Sequence, residues 1–506
     1  MLFATAFLSL VAARLLPASG TLVRITFLFG WGGLLPLCFW LDTVRLSFVA
    51  VLSFVASTCH GLRSSYVFQA SARRLYFFFY SLFYLSMLGL ILSGDLLTAF
   101  LFWDGLGITS FFLVALFNNS ISRGGAMLTL LTNRLGDMLL LVGAACYWGA
   151  GRMAWVMDWG GASLVASVFV CLGLFAKRAQ WPMAGWLPAA MSAPTPVSAL
   201  VHSSTLVTAG IYLLIRWGGL APTNQILVGL RVATFIWGAA RALLSFDIKR
   251  IIAMSTLSHL GVMGVALFSG QPGLGFYHLL VHALFKSNRF LCAGILIQAY
   301  KHTQDIRFMG GGGNRPIAKF RLVLCLWSLM GLPSALSFLS KGSSVLGGSV
   351  RPLLSIAMGG GLIMRSAYSV RLGVYLFNGG SICPQAQTSI GIELPTILSA
   401  GGGLILSLYL AFVFLSAPRV ILWGWELTFL LAGGGAATIW ALCDSKLGKG
   451  DWGGVYHIGR VLGAHKSASA RGLLLMPRVW EHQHAEVARI GTKKISKIAL
   501  KLTRLR

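Results

Sequence analysis

The sequence predicts an all-α polytopic membrane protein, and three observations carry that prediction. Only 11% of the 506 residues are charged and the mean hydropathy is +0.77, whereas a soluble domain carries about 25% charged residues. Apolar runs such as "LYFFFYSLFYLSMLGLILSG" recur along the chain; a bilayer core takes about 20 such residues per helix, so about 14 to 16 transmembrane helices are expected. The runs lack the apolar/polar alternation of barrel strands. Open sheet edges in hydrocarbon would leave backbone groups unpaired at several kcal/mol each, so the spans are helices.

Residues 1–74 read as three N-terminal transmembrane helices. The opening "MLFATAFLSLVAARLLPASG" has the apolar region and small residues of a signal peptide, but the spans that follow favour a first membrane helix. Residues 75–217 read as five helices, with breaks at "LFNNSISRGG" and at a proline-rich block that ends "AAMSAPTPVSALVHSSTLVTAG". A second group occupies 218–380, broken at "SFDIKR", "FSGQPG" and "TQDIRFMGGGGNRP". Two further apolar runs lie in 381–444, and 445–506 is a basic tail whose end, "RIGTKKISKIALKLTRLR", fits an amphipathic surface helix.

The formal charge is +28, and in the tail thirteen lysines and arginines meet three acids. Cations between membrane helices set topology and touch anionic lipid such as cardiolipin, which is the reading adopted here over nucleic-acid binding. The eight cysteines are scattered without C-x-x-C spacing, so neither zinc nor an iron–sulfur cluster is signalled. They read as small packing residues.

Proline interrupts comparable places of the two central groups: Pro182 in "FAKRAQWPMAGWLP" and Pro333 in "LMGLPSALSFLSKGS". Proline removes an intrahelical hydrogen bond, and paired broken helices point to an ion path. A lysine stands close to each break, Lys177 and Lys341.

Acids within spans are expensive, at least about 2.5 kcal/mol each, so the few present are informative. Asp104 lies deep in "TAFLFWDGLGITSFFL". Asp137 follows Arg134 by three residues, which places both on one helix face where they can pair. Asp95 in "LSGDLLTAF" reads as a helix cap. In "GLGFYHLLVHALFKSNRFLCAG", His278, His282 and Lys286 recur at every fourth residue, a polar stripe of about 12 Å on one helical face. Two histidines four apart also suit zinc, but no H-E-x-x-H pattern or adjacent carboxylate supports a metal.

Histidine exchanges protons near neutrality. Burial disfavours the charged form of a lysine and a nearby carboxylate favours it, so moving or screening the carboxylate releases the proton. Asp104 beside Lys177 is therefore expected as a switchable pair, with histidines passing protons onward.

These residues sit in stretches that resemble the chain 5 family of the mitochondrial NADH:ubiquinone oxidoreductase, respiratory complex I, an antiporter-like membrane subunit. The likeness runs from about Asp42 to Lys341 through "WDGLGITSFFLVALF", "NRLGDM", "AQWPMAGWLPAAMSAPTPVSALVHSSTLVTAGIYLLIRW", "DIKRIIAMSTLSHLG", "HLLVHALFKSNRFLCAG" and "QDIRFMGG". The resemblance implies two inverted five-helix repeats, each with a broken helix. It implies that Asp104 and Lys177 form the membrane carboxylate and lysine pair, and that His202, His278, His282 and Lys286 continue the relay towards Lys341. Arg134, Asp137, Pro182, Pro333 and Asp247 would have structural or coupling roles. The implied function is proton translocation across the inner mitochondrial membrane, driven by electron transfer from NADH to ubiquinone. NADH, FMN, iron–sulfur clusters and ubiquinone would be handled elsewhere in the complex, with no cofactor on this chain. The implied partners are the other membrane-arm subunits, including the adjacent antiporter-like one.

Three departures stand out. Asp104 replaces the usual glutamate and is about 1.5 Å shorter. Gly342 stands where an acid usually follows Lys341, and after about Arg351 the likeness fades where the family carries a long lateral helix. Two other readings share the same lysines and histidines: a free-standing cation/proton antiporter subunit, and a structural subunit that has lost pumping.

Overall fold

The computed structural model describes residues 2–15, 21–29, 33–62, 70–149, 164–181, 183–217, 225–300, 303–309, 316–330, 352–378 and 390–414. Pro182, Pro333, Lys341, Gly342 and the basic tail lie outside the described residues. Helix dominates, and seven described helices are long and apolar enough to cross a membrane.

The N-terminal region departs from three helices in succession. Helix α1 (Leu2–Leu15) is followed by an antiparallel hairpin of β1 (Thr21–Phe29) and β2 (Gly33–Leu41), then by α2 (Thr43–Gly61). The pairing register runs from Thr21 opposite Leu41 to Phe29 opposite Gly33. β-Branched and aromatic residues fill "TLVRITFLF" and favour a pleated surface. Pro36, opposite Thr26, removes the amide a helix interior needs, while a strand with an open edge tolerates it.

Helices α3 (Ala70–Leu92), α4 (Leu96–Val114), α5 (Ser120–Gly149) and α6 (Leu164–Lys177) follow, then a short α7 (Trp186–Ala189), α8 (Thr195–Ser203) and α9 (Leu206–Arg216). Aspartates start two of the spans. Asp42 accepts from the Arg45 amide at 2.9 Å, and Asp95 accepts from the Thr98 amide at 3.1 Å, the cap expected of Asp95. Each satisfies one of the amides a helix start leaves unpaired.

The second group comprises α10 (Gln225–Leu244), α11 (Ile248–Phe268), α12 (Pro272–Ala299), α13 (Pro316–Met330), α14 (Pro352–Asn378) and α15 (Ile390–Phe414). The most apolar stretches of α11 and α12 are wholly buried, and α12 packs against α2, α8, α11, α13 and α15. They form the centre of the protein. A helix so enclosed carries polar side chains that other helices must satisfy, and that is where the histidine stripe falls.

Two loops at one end are tied together. The Ile306 amide donates to the Phe246 carbonyl at 3.0 Å, and the Ile248 amide donates to the Gln304 carbonyl at 2.9 Å. Asp305 sits in this bridge and accepts from the Arg307 amide at 3.0 Å and from its Nε at 2.9 Å. Partial burial pushes the Asp305 carboxyl up, but the Arg307 hydrogen bonds outweigh it, so the net position is below the usual carboxylate value. A carboxyl held low in the folded state stabilises it above the unfolded value, about 3.9, and loses that contribution as pH falls through the folded one. Amide protection at Ile306 and Ile248 is therefore expected to stay level from neutrality to about pH 5 and to fall below about pH 4. In Asp305→Asn the protection should be lower above about pH 4 and lack that step, meeting the unmodified protein at lower pH.

Candidate functional site

The site begins at the end of α6. The Gln180 amide donates to the Phe175 carbonyl and the Ala179 amide to the Ala176 carbonyl, both at 3.2 Å, with Ala179 at φ 52°. This is a Schellman termination, usually made with glycine, and alanine in the left-handed region strains it by about 1–2 kcal/mol. The Trp186 indole donates to the Ala176 carbonyl at 3.0 Å, so a second group also seals the helix end. Lys177 thereby becomes the last helical residue, at the end whose carbonyl dipoles favour a cation.

Lys177 is wholly buried. Its Nζ donates to the Trp103 carbonyl at 2.7 Å, lies 4.0 Å from the Trp103 ring centroid, and meets Asp137 Oδ1 at 3.5 Å. The same Asp137 oxygen accepts from the Trp103 indole at 2.8 Å. Arg134 spans the remaining gap, with Nη1 2.5 Å from Asp104 Oδ1 and 3.8 Å from Asp137 Oδ2. Four charges thus stand in a row: Asp104, Arg134, Asp137, Lys177.

This corrects the expected pairing. The carboxylate at Lys177 is Asp137, whereas Asp104 pairs with Arg134. On α4 it is Trp103 that meets Lys177; Asp104 is one residue on, about 100° further round the helix, and its short side chain leaves it on the flank. The proposed pair of Arg134 and Asp137 on one face is present, though longer than the Arg134 to Asp104 contact.

Close approach of α5 and α6 makes the Asp137 contact possible. A Cβ on Gly173 would stand 2.7 Å from the Gly136 carbonyl oxygen, and one on Gly136 would stand 2.9 Å from that of Gly173. Only glycine at both positions lets the backbones meet so near. The next residue after Gly136 is Asp137, which is carried towards Lys177.

The second polar cluster lies between α11 and α12. His259 Nδ1 is 3.2 Å from His278 Nε2, and the His259 ring centroid is 5.4 Å from that of His278 and 5.3 Å from that of His282. One turn along, Lys286 Nζ donates to Ser255 Oγ at 2.5 Å and to the Ile252 carbonyl at 3.3 Å. Arg289 donates to Ser255 Oγ at 3.4 Å and to the Cys325 carbonyl at 2.9 Å. Antiparallel helices with a period near four face each other here, so Ser255 and His259 of α11 form rungs with Lys286 and the histidines of α12. The expected stripe of His278, His282 and Lys286 is thus assembled as one buried face.

His202, at the end of α8, is buried with its ring 6.4 Å from that of Trp186 and 6.5 Å from that of Phe290. Its neighbour Ser203 presents its backbone to His282, so α8 touches the ladder. The hydroxyls around it serve the backbone. Thr205 Oγ1 donates to the Leu200 carbonyl at 3.0 Å, Thr208 to Thr205 at 2.9 Å and Ser198 to Thr195 at 2.9 Å. The polar block is therefore tolerated in part because its side chains pair the carbonyls freed where α8 breaks from α9. Asp247 is exposed at the start of α11, in the loop bridge and away from these clusters.

Sequence reasoning missed Trp103, His259, Ser255 and Arg289. His259 had a signal, a histidine four residues after a serine in the apolar span "MSTLSHLG". Trp103 had none, because its indole and carbonyl gain meaning only from the helices they face.

A row of charges leading into a buried fold, with a histidine and lysine ladder on its two innermost helices, defines an antiporter-like membrane subunit. The chain belongs to the NADH:quinone oxidoreductase/Mrp antiporter transmembrane family, whose profile matches residues 93–361. It is 39% identical over 337 residues to the NADH-ubiquinone oxidoreductase chain 5 of Aedes aegypti, covering 63% of this chain and 54% of that protein. With the chain 5 of Mytilus edulis it shares 34% identity over 442 residues, 82% of this chain and 76% of the relative. The chain thus spans about half the length of the Aedes relative. Among solved structures it resembles the Mrp complex from Dietzia sp. DQ12-45-1b, with TM-score 0.75, 24% identity, and coverage of 100% of this chain and 59% of that one. The membrane-bound sulfane sulfur reductase, an archaeal respiratory membrane complex, gives TM-score 0.71 at 20% identity, over 86% and 91% of the two chains. These structural likenesses bear out the all-α polytopic membrane class.

Proposed function

We propose that this chain is a proton-translocating membrane subunit of a respiratory NADH:ubiquinone oxidoreductase in the inner mitochondrial membrane. The observation that carries the reading is the graded burial of the four-charge row. The side chains of Asp104 and Arg134 are 31% and 45% exposed, those of Asp137 and Lys177 5% and 0%. A charge change at the outer end therefore reaches the buried lysine through three contacts. When Arg134 turns towards Asp137 it screens the carboxylate at Lys177, and the lysine gives up its proton; when it returns to Asp104, Lys177 is recharged. His202 and the ladder of His259, His278, His282 and Lys286 are the groups that take the proton onward.

The exposed end also names a face. Asp104 and Arg134 stand among exposed Leu101, Leu131, Leu135 and Met138, at a depth where hydrocarbon satisfies no charge. A neighbouring membrane-arm subunit presenting a polar group covers them. Electron transfer through NADH, FMN, iron–sulfur clusters and ubiquinone takes place on other subunits, and the basic tail binds anionic lipid. Lys341, outside the described residues, is assigned the exit end of the relay.

The test is Lys177→Met in the assembled complex, reconstituted in sealed vesicles and assayed for protons moved per NADH oxidised. A drop in that ratio with an intact complex supports the reading. An unchanged ratio makes the chain structural. Sodium efflux by the chain without flavin-containing partners makes it a free-standing cation/proton antiporter.

A further inference from the structure

We propose that a lipid acyl chain seats in an apolar cavity beside the four-charge row and buttresses Trp103. The cavity measures about 190 Å3 and is lined by residues of α4, α5, α6 and α9, among them Phe100, Trp103, Leu141, Ala144, Val170 and Trp217. An apolar cavity of about 150 Å3 stays dry and takes up benzene, so this one accommodates a hydrocarbon segment. Apart from the indoles of Trp103 and Trp217 the lining is aliphatic or phenyl, and the Trp103 N–H is already given to Asp137, which leaves little to hold water.

The occupant follows from where the cavity opens. Leu97 and Leu141 on its rim are 37% and 47% exposed, about two turns along α4 and α5 from Asp104 and Arg134, with exposed Val142 beside them on membrane-spanning α5. At that level the rim carries only apolar side chains, and hydrocarbon is the medium that suits it. The cavity extends along α4 from Leu96, the first residue after the Asp95 cap, to Trp103, a rise of about 10 Å. It runs along a membrane-spanning helix, the direction an acyl chain takes, and buried Trp217 just past the end of α9 lines it.

Trp103 gives the seat its consequence. Trp103 lines the cavity, while its indole N–H holds Asp137 and its carbonyl holds Lys177. With the cavity filled, the ring is packed and both contacts are held at their distances; with it empty, the ring gains a neighbouring space to move into. The seat stands on geometry alone, whereas its effect on proton transfer rests on the reading proposed above.

The experiment uses the assembled complex in vesicles of phosphatidylcholine carrying a mid-chain diazirine, with adducts mapped by mass spectrometry. Labelling of Phe100, Leu141, Ala144 and Val170 is expected to exceed that of the exposed α3 residues Leu75 and Phe78 at least tenfold. Ala144→Phe, which fills the cavity, and Leu141→Trp, which plugs its rim, should each bring the cavity signal down to the α3 level without changing Leu75 or Phe78. Equal labelling of cavity and α3 residues, or a cavity signal that survives both variants, overturns the seat; so does an unlabelled cavity, which means a partner's side chain fills it. Stripping lipid with detergent should then lower protons per NADH in the unmodified complex and spare Ala144→Phe. Equal loss in both, with the labelling pattern intact, overturns the buttress and leaves the proton-transfer reading to the Lys177→Met test.

Discussion

Asp137→Asn is expected to lower proton transfer through this chain at least tenfold, and Asp104→Asn to lower it far less. Asp137 holds the buried ammonium of Lys177 at 3.5 Å, and removing one partner of a buried pair costs about 3–5 kcal/mol, where each 1.4 kcal/mol is about a factor of ten. Asparagine keeps the volume and a hydrogen-bond acceptor for the Trp103 indole, so the change removes charge and little else. Asp104 pairs with an arginine that also faces Asp137, and its loss leaves the lysine's own contact in place. The measurement is protons per NADH in sealed vesicles for both variants, with complex content checked by flavin. The reverse order would make Asp104 the partner that governs Lys177.

Gly173→Leu should act on the same contact from the opposite side. A Cβ there meets the Gly136 carbonyl oxygen at 2.7 Å, Leu140 Cγ at 2.8 Å and the Leu140 amide nitrogen at 2.9 Å. Two of those atoms are backbone, so the helices must part. Overpacking of this kind costs about 1–3 kcal/mol, and parting α5 from α6 lengthens the distance from Asp137 to Lys177. Both thermal stability of the complex and protons per NADH are expected to fall. Gly124→Ala, on the same α5 with open space around its Cβ position, should leave both near their starting values. If Gly173→Leu lowers stability but not the proton ratio, spacing of these helices has no part in transfer.

Much of this was legible from periodicity. The stripe of His278, His282 and Lys286 is a one-dimensional pattern, and any helix through those residues puts them on one face. The Asp95 cap was legible for the same reason, since it depends on the next three residues only. The hairpin at Thr21–Leu41 was not, because short runs of valine, threonine and phenylalanine have the same hydropathy in a strand as in a helix. Nor was the partner of Lys177. Whether Asp104 or Asp137 reaches it depends on the rotation of α4 and on the approach permitted by Gly136 and Gly173, and both are properties of three helices together. His259 was hidden by a further step, because a lone histidine on an apolar helix acquires its place only from the stripe opposite.

The row of Asp104, Arg134, Asp137 and Lys177 contains two acids and two bases. Its members stand in contact through Arg134 and Asp137, so neutralising one of them alters the field at every other. With its acids and bases equal in number the row is neutral as it stands, and a hydrogen ion that departs from Lys177 leaves one uncompensated negative charge inside the fold until another arrives.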